Sequence, residues 1–190
     1  MSRLLFALVA SLFAVQCFAA DREKPKPWQT LEQCRYVARP ANDGDSFGVQ
    51  CGGEKFVLRL YFVDAPEDDL KFNERSNEQA QHFGVSLDDT LKAGRQARDL
   101  VQSMLSGPFL VLTRKANAQG RSSEPRYYGL VHVGGRYLHE VLLLEGLARV
   151  KGVTTTMPDG EKSRDYLKKL RALEDQARVR RKGAWARSTR

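Results

Sequence analysis

Three of the acidic side chains and the one arginine of the segment Asn42–Glu67 are of types that could act together in chemistry, and the segment is otherwise rich in apolar, alternating residues. The acids are Asp45, Asp64 and Glu67, and the arginine is Arg59. Carboxylate oxygens are ligands for hard divalent cations, and the planar guanidinium group of arginine holds two phosphate oxygens at once. These residue types together indicate chemistry on a phosphodiester, whose negative charge must be neutralised while a water molecule is placed for attack.

The hydrophobic pattern predicts that these side chains lie at one end of a small sheet. Alternate residues of segment 56–62 are apolar on one face of a strand, which leaves Arg59 on the other face. Asp43-Gly44-Asp45 is typical of a turn that joins two strands, and Pro66 ends the next strand because proline cannot donate to a strand ladder. Each piece alone is typical of an ordinary turn, strand exit or solvated face, but their joint spacing favours a site.

Five longer segments occur in order between about Cys34 and Trp185: DGDSF, FVLRLYFVDAPE, RYYGLVHV, HEVLLLEGLARV and ARVRRKGAWA. Together they resemble the staphylococcal nuclease (thermonuclease) family. The resemblance implies an α+β fold, a β-barrel plus α-helices, in which a five-stranded OB-type barrel carries about three flanking helices. It also implies a calcium-dependent phosphodiester hydrolase, a sugar-non-specific endonuclease acting on DNA and RNA, with Ca²⁺ as its cofactor.

The same resemblance implies roles for the acidic residues. Asp45 and Asp64 match the metal-binding carboxylates, and Ala65 stands where a backbone carbonyl completes the protein's share of the metal ligands. The family usually has threonine at that position, but a carbonyl ligand survives the change of side chain. Glu67 matches the glutamate that orients or deprotonates the attacking water.

The resemblance also implies two arginines that hold the phosphate, Arg59 and Arg126. Arg126 is identified by its spacing from Glu140, because the local order of arginine, tyrosine and glycine differs from the usual one. The tyrosines that stack on a base in the family are not at their usual positions here. Tyr127 and Tyr128 are candidates to replace them in binding substrate.

The amino-terminal residues 1–20 are typical of a secretory signal peptide, with Arg3 before an apolar run and small residues near its end. Cleavage after Ala19 or Ala20 is expected, and a lipoprotein anchored at Cys17 is the alternative. A secreted or periplasmic protein is therefore predicted. No later segment has the length and apolar character of a membrane span.

The charge and the remaining cysteines fit this interpretation. The 190 residues carry a formal net charge of +8, which favours binding to polyanions such as nucleic acid in a salt-dependent way. Cys34 and Cys51 flank the predicted turn, and in an oxidising compartment two such cysteines on facing strands can form a disulfide.

The predicted organisation is a flexible leader over residues 21–33 followed by one domain, a monomer, over residues 34–187. The polar stretch 68–90 is interpreted as a surface insertion, with a lid beside Glu67 as the alternative. A helix of about 22 residues is predicted beyond Pro158, and at ~1.5 Å of rise per residue it would be about 33 Å long.

Two further functions compete with hydrolysis. One is an OB-fold module that binds nucleic acid without catalysis, and the other is an extracellular scaffold whose basic surface binds acidic polymers. A degenerate copy is expected to lose at least one of Asp45, Arg59, Asp64 and Glu67, and all four are present. This retention favours the nuclease.

Overall fold

The computed structural model describes residues 26–120 and 122–189, so the predicted signal peptide of residues 1–20 and residues 21–25 of the predicted leader lie outside the described residues. The strands are β1 (Gln29–Val37), β2 (Ser46–Cys51), β3 (Glu54–Leu60), β4 (Val63–Asp64), β5 (Phe109–Asn117), β6 (Arg126–Val133), β7 (Arg136–Tyr137) and β8 (Arg149–Val150). The helices are α1 (Asn73–Phe83), α2 (Leu87–Met104), α3 (Leu138–Leu144), α4 (Ser163–Val179) and a final 3₁₀ helix, Gly183–Arg187.

Five of the strands close into a barrel. Their order is β3-β2-β1-β5-β6, and β6 returns to pair with β3 in a parallel register that sets Arg59 opposite Tyr128. The other pairs in the ring are antiparallel. The predicted five-stranded OB-type barrel is therefore confirmed, and its closure removes the open edges of the sheet.

The alternation in β3 predicts the barrel interior correctly. Phe56, Leu58 and Leu60 are almost completely buried, as is Phe62 just beyond the strand, while Arg59 keeps partial exposure. The flanking elements add Phe83, Leu142 and Leu170 to the same continuous apolar core. Burial of large apolar side chains is the main favourable term in folding.

Strand β1 begins inside the segment that the sequence predicted to be a flexible leader. Gln29 pairs with Thr113 of β5, and residues 29–33 belong to the strand. The pattern of charged and proline residues ahead of it obscured this start. The residue just before β1, Trp28, is also held in place, because its ring lies 4.7 Å from the Arg114 guanidinium group.

Four α-helices flank the barrel, one more than the resemblance implied. The additional helix, α1, occupies much of the stretch 68–90 that was interpreted as a surface insertion without regular structure. Its sequence NERSNEQAQHF has few apolar residues, so the usual 3.6-residue hydrophobic period is weak. The buried positions of α1 are instead partly polar and include Ser76 and Gln79.

Helix α2 forms where its sequence signals place it. The Ser86 hydroxyl accepts a hydrogen bond from the Asp89 amide at 3.1 Å and so caps the amino terminus of the helix. Ala93, Ala97 and Val101 are buried along one face. This face packs towards the predicted site.

Helix α4 is shorter than predicted, with 17 residues instead of about 22. Arg181 has a left-handed backbone conformation, with φ 53°, and this turns the chain out of the helix. The turn places Trp185 against Phe83 of α1, at a centroid distance of 4.8 Å. The basic sequence continues past the end of the helix, so composition alone did not mark the boundary.

Within residues 26–120 and 122–189, no helix has both the length and the apolar character needed to span a bilayer.

A disulfide joins Cys34 of β1 to Cys51 of β2, across a sequence separation of 17. The bond lies at the end of the β1–β2 pair opposite to the turn that carries Asp45, and it ties these two strands together.

Replacing both Cys34 and Cys51 with alanine is expected to lower the free energy of unfolding by about 3 kcal/mol, because the unfolded chain regains the freedom of the closed loop. Urea denaturation of the double variant and the oxidised parent measures the difference, and the reduced parent serves as the control. In peptide mass spectrometry, iodoacetamide without reductant should label neither cysteine. Equal unfolding midpoints, or full labelling of both residues, would contradict the role of the bond.

Candidate active site

The three predicted acids converge at one end of the barrel. Asp45 ends the turn before β2, Asp64 ends β4, and Glu67 follows the turn at Pro66. Their side chains are nearly buried, with relative exposures of 1%, 5% and 7% for the three residues. Buried carboxylates are costly unless they are compensated, so the fold maintains this cluster at the expense of stability.

Local hydrogen bonds fix the position of Asp45. The Asp43 carboxylate accepts hydrogen bonds from the amides of Asp45, at 2.9 Å, and Ser46, at 2.6 Å. Asp45 Oδ2 in turn accepts a hydrogen bond from the Ala65 amide at 2.9 Å. This bond joins the turn before β2 directly to the chain that follows β4.

Arg59 lies between the two aspartates that were predicted to bind metal. Its Nη1 is 3.1 Å from Asp45 Oδ1, and its Nη2 is 3.6 Å from Asp64 Oδ1. Because both aspartates reach one guanidinium group, their carboxylates face a common region. The structure thus brings together Asp45, Arg59 and Asp64 as the sequence pattern predicted.

Arg126 reaches the same end of the barrel from β6. Its Nη2 donates to Ser46 Oγ at 3.2 Å, and its Nε donates to the Ala118 carbonyl at 3.4 Å. Ser46 is the neighbour of Asp45, and β2 pairs Ser46 with Arg59. Arg126 therefore lies beside the cluster without forming an ion pair with its acids among the described contacts.

Arg75 is a residue of the site that the sequence did not reveal. Its guanidinium forms ion pairs with Asp64 and with Glu67, the latter at 2.9 Å, and lies 3.9 Å from Asp45 Oδ2. One cation of helix α1 thus contacts all three predicted acids. Arg75 lies in the polar stretch 68–90, which the sequence indicated to be a surface insertion.

Two further residues support Asp64. Gln79 Nε2 donates to Asp64 Oδ2 at 3.1 Å and to the Ala65 carbonyl at 2.9 Å, while its Oε1 accepts from the Glu67 amide at 2.9 Å. Arg149 Nε donates to Asp64 Oδ2 at 2.8 Å from the buried strand β8. One feature of the sequence could have indicated these residues. Arg75 and Gln79 are four positions apart, and residues at that spacing share one face of a helix.

These contacts set the protonation of the cluster. Burial raises the pKa of Asp45 well above its usual range, and the nearby Asp43 carboxylate raises it further. Burial also acts to raise the pKa of Asp64, but Arg75, Gln79 and Arg149 outweigh it and lower that pKa. Burial raises the pKa of Glu67 although Arg75 opposes the shift.

The donor set fits a hard divalent cation in its chemistry. Asp45 and Asp64 supply convergent carboxylate oxygens, and among the described residues no aligned donor satisfies the buried Asp45 Oδ1. The Ala65 carbonyl lies close to Asp64, since a single Gln79 amide group reaches both. In residues 26–120 and 122–189, no group of three or more His, Cys, Asp or Glu side chains is arranged so that it could hold a metal ion as it stands. Arg75 lies among the three acids of the cluster.

Helix α2 holds both acidic corners in place through its small residues. A Cβ added to Gly94 would lie 2.1 Å from the Glu67 carbonyl oxygen, so only glycine permits this approach of the helix. A Cβ added to Gly44 would lie 2.6 Å from Ala97 and 2.8 Å from Ala65. The helix therefore packs directly against the chain on either side of the cluster.

A cavity of about 710 Å³ opens along β5 and β6, and Tyr128 in its wall is registered opposite Arg59 of β3. Tyr61 and Tyr128 stack in its wall at a centroid distance of 5.0 Å. The lining residues are Lys26, Tyr61, Arg114, Lys115, Ala116, Asn117, Gln119, Tyr128, Val153, Thr154 and Thr155. Tyr127, the other candidate for substrate binding, packs instead against Phe56 at 5.4 Å.

Comparison with known proteins agrees with this architecture. The sequence profile of the family described as "Staphylococcal nuclease homologue" matches residues 57–187. The chain is also 29% identical over 148 residues to the protein named "Endonuclease YncB" of Bacillus subtilis (strain 168). The alignment covers 78% of this chain and 60% of the relative, so this chain spans well under two thirds of that relative's length.

Substituting Gly94 with alanine is expected to destabilise the fold by about 1 to 3 kcal/mol, because the added methyl group overlaps the backbone of Glu67. Chemical denaturation measures the loss. Gly53→Ala is the matched control, since a Cβ at that position meets nothing within 4 Å. Equal losses for the two variants would contradict the close approach of α2.

Proposed function

Because this chain belongs to the staphylococcal nuclease homologue family, we propose that it is a nuclease that hydrolyses phosphodiester bonds of DNA and RNA with the aid of calcium. One observation carries this proposal. Asp45, Asp64 and Glu67 converge on a common region with Arg59, and Arg126 lies at the same end of the barrel.

The two arginines would bind the scissile phosphate. Arg59 keeps part of its side chain exposed between the aspartates, and Arg126 approaches from the adjacent strand. A guanidinium group stays protonated at any working pH and presents a planar pair of donors to phosphate oxygens. Donors that meet charge as it develops in the transition state lower the barrier to its formation.

Glu67 would orient the attacking water and accept its proton. Its pKa is raised by burial, which brings it closer to the value that suits a general base near neutral pH. The Glu67 backbone N–H donates a hydrogen bond to Gln79 Oε1 at 2.9 Å, which fixes the backbone at Glu67. Gly94 allows α2 to pack directly against the same backbone. The carboxylate is thus held by a rigid frame.

The predicted metal ligands are Asp45, Asp64 and the Ala65 carbonyl. A calcium ion bound there would neutralise charge on the phosphate, and its ~6 to 8 oxygen ligands leave positions for water and substrate. The protein's own contribution is to hold two buried carboxylates in convergent positions. Hard oxygen ligands suit calcium, as they also suit magnesium and manganese, and calcium is the ion that the resemblance to the family implies.

The cavity beside the site would receive a nucleotide next to the scissile bond. Its wall carries the stacked rings of Tyr61 and Tyr128 together with the cations Lys26, Arg114 and Lys115. Aromatic faces stack on bases of any sequence, and cations attract the backbone. This combination supports substrate binding with little sequence preference.

The variants Arg59→Ala, Arg126→Ala and Glu67→Gln are each expected to reduce the rate of plasmid cleavage by at least about tenfold, since a lost contact to developing charge typically costs ~3 to 4 kcal/mol. Conversion of supercoiled DNA on agarose gels measures the rate, and circular dichroism checks folding. Arg136→Ala is the control, because Arg136 is exposed on the short strand β7. A folded Arg59→Ala variant that cleaves at the parent rate would refute the assignment.

Metal dependence separates hydrolysis from binding alone. Chelator should stop plasmid cleavage and added calcium should restore it. A protein that binds an oligonucleotide but never cuts it, with or without calcium, would instead be the OB-fold binding module considered as the alternative.

Tyr128→Leu is expected to weaken the binding of a short single-stranded oligonucleotide about tenfold, since base stacking contributes ~1 to 3 kcal/mol. Fluorescence anisotropy measures the affinity, with each tyrosine substitution combined with Glu67→Gln so that the oligonucleotide is not cleaved. Tyr127→Leu is the matched control on the same strand, because Tyr127 packs on Phe56 and does not line the cavity. Equal effects of the two substitutions would contradict binding in this cavity.

A further inference from the structure

We propose that Arg75 is an internal counter-ion of the carboxylate cluster, and that a divalent cation binds the cluster only by displacing the Arg75 guanidinium group. This inference rests on the proposed function, because it assumes that the cluster binds such a cation. It assigns a role to Arg75 of helix α1, a residue that the proposed reaction does not use.

The contacts of Arg75 place it where a cation would have to sit. Its guanidinium pairs with Asp64 and with Glu67, and it lies 3.9 Å from Asp45 Oδ2. An ion held by Asp45 and Asp64 needs oxygens that this guanidinium now contacts. Two positive groups cannot share those oxygens without strong repulsion.

The charges of the cluster lead to the same conclusion. Asp45, Asp64 and Glu67 carry at most three negative charges, and Arg59, Arg75 and Arg149 contribute three positive charges in direct contact with them. The positive charge of these three arginines is therefore at least as large as the negative charge of the three acids. A divalent cation added to this set would leave an excess of at least two positive charges in a largely buried site, whereas withdrawal of one guanidinium group reduces that excess.

Arg75 is the arginine that can leave. About one third of its side chain is exposed, at 32%, whereas the Arg149 side chain is only 4% exposed and enclosed. Arg59 is 19% exposed and extends from a central barrel strand. The described contacts of the Arg75 side chain are all with the cluster acids, so it can rotate into solvent once a cation takes them.

The rest of α1 is anchored independently of Arg75. Gln79 remains bonded to Asp64, Ala65 and Glu67, and Phe83 packs against Trp185 at 4.8 Å. The helix can therefore keep its place while the Arg75 side chain moves. The exchange requires a change of side-chain rotamer and no unfolding of the helix.

Isothermal titration calorimetry of the complete chain with calcium chloride tests the exchange. Arg75→Met keeps the length of the side chain and removes its charge, and it is expected to bind calcium at least about tenfold more tightly than the parent. In chelator the same variant is expected to melt at a lower temperature than the parent, and saturating calcium should raise its melting temperature by more. Arg98→Met is the matched control, because Arg98 pairs with Asp68 and Asp99 outside the cluster.

The possible results separate this inference from the proposed function. If the parent binds calcium, Asp64→Asn does not, and Arg75→Met binds no more tightly than the parent, the inference is wrong and the metal site stands. If calcium binds none of the proteins while the parent still cleaves DNA in chelator, both the metal dependence and the inference are wrong. Tighter binding in Arg98→Met as well would also overturn the inference, because it would make the effect one of net charge.

A second measurement uses the unaltered protein in case Arg75→Met does not fold. In nitrogen-15 NMR spectra, the Arg75 Nη–H signals should shift and exchange faster with solvent when calcium is added, because Nη1 and Nη2 lose their carboxylate partners. The Arg149 Nε–H signal should remain protected. An Arg75 signal unchanged at saturating calcium would overturn the proposal.

Discussion

The structure depends on how negative charge is accommodated at one end of an apolar barrel. Asp45, Asp64 and Glu67 are nearly buried, and removing such groups from water is unfavourable unless opposite charges and hydrogen bonds compensate. The surrounding elements supply that compensation from different parts of the chain, through β3, α1 and β8. The helices around this end of the barrel are thus partners of the carboxylates as well as cover for the core.

The barrel and half of the site could be predicted because their signals are local. Alternation in β3 identified the buried face and left Arg59 on the other, and the turn residues at Asp43 and Pro66 marked where the acids would emerge. The joint pattern then indicated which distant strands must meet. Arg126 was found through its distance from Glu140 in the sequence, and the parallel pairing of β3 with β6 brings it to the same end.

Arg75 and Gln79 could not be identified in the same way because their environment arises only from tertiary structure. Helix α1 packs a partly polar face against the carboxylates, so its sequence has no clear apolar period that would indicate a buried helix. The end of α4 was overestimated for a related reason, since its basic surface continues while the backbone turns at Arg181. In both cases the missing information was the nature of the neighbouring surface.

The parallel pairing of β3 and β6 has a consequence for synthesis of the protein. It joins strands that are far apart in the sequence, with two helices and the strands β4 and β5 between them. Such long-range pairings tend to form late, because the chain between them must first be ordered. A growing polypeptide therefore holds Arg59 and Arg126 apart until β6 has emerged from the ribosome, and the end of the barrel that carries both arginines is completed only when the ring of strands closes.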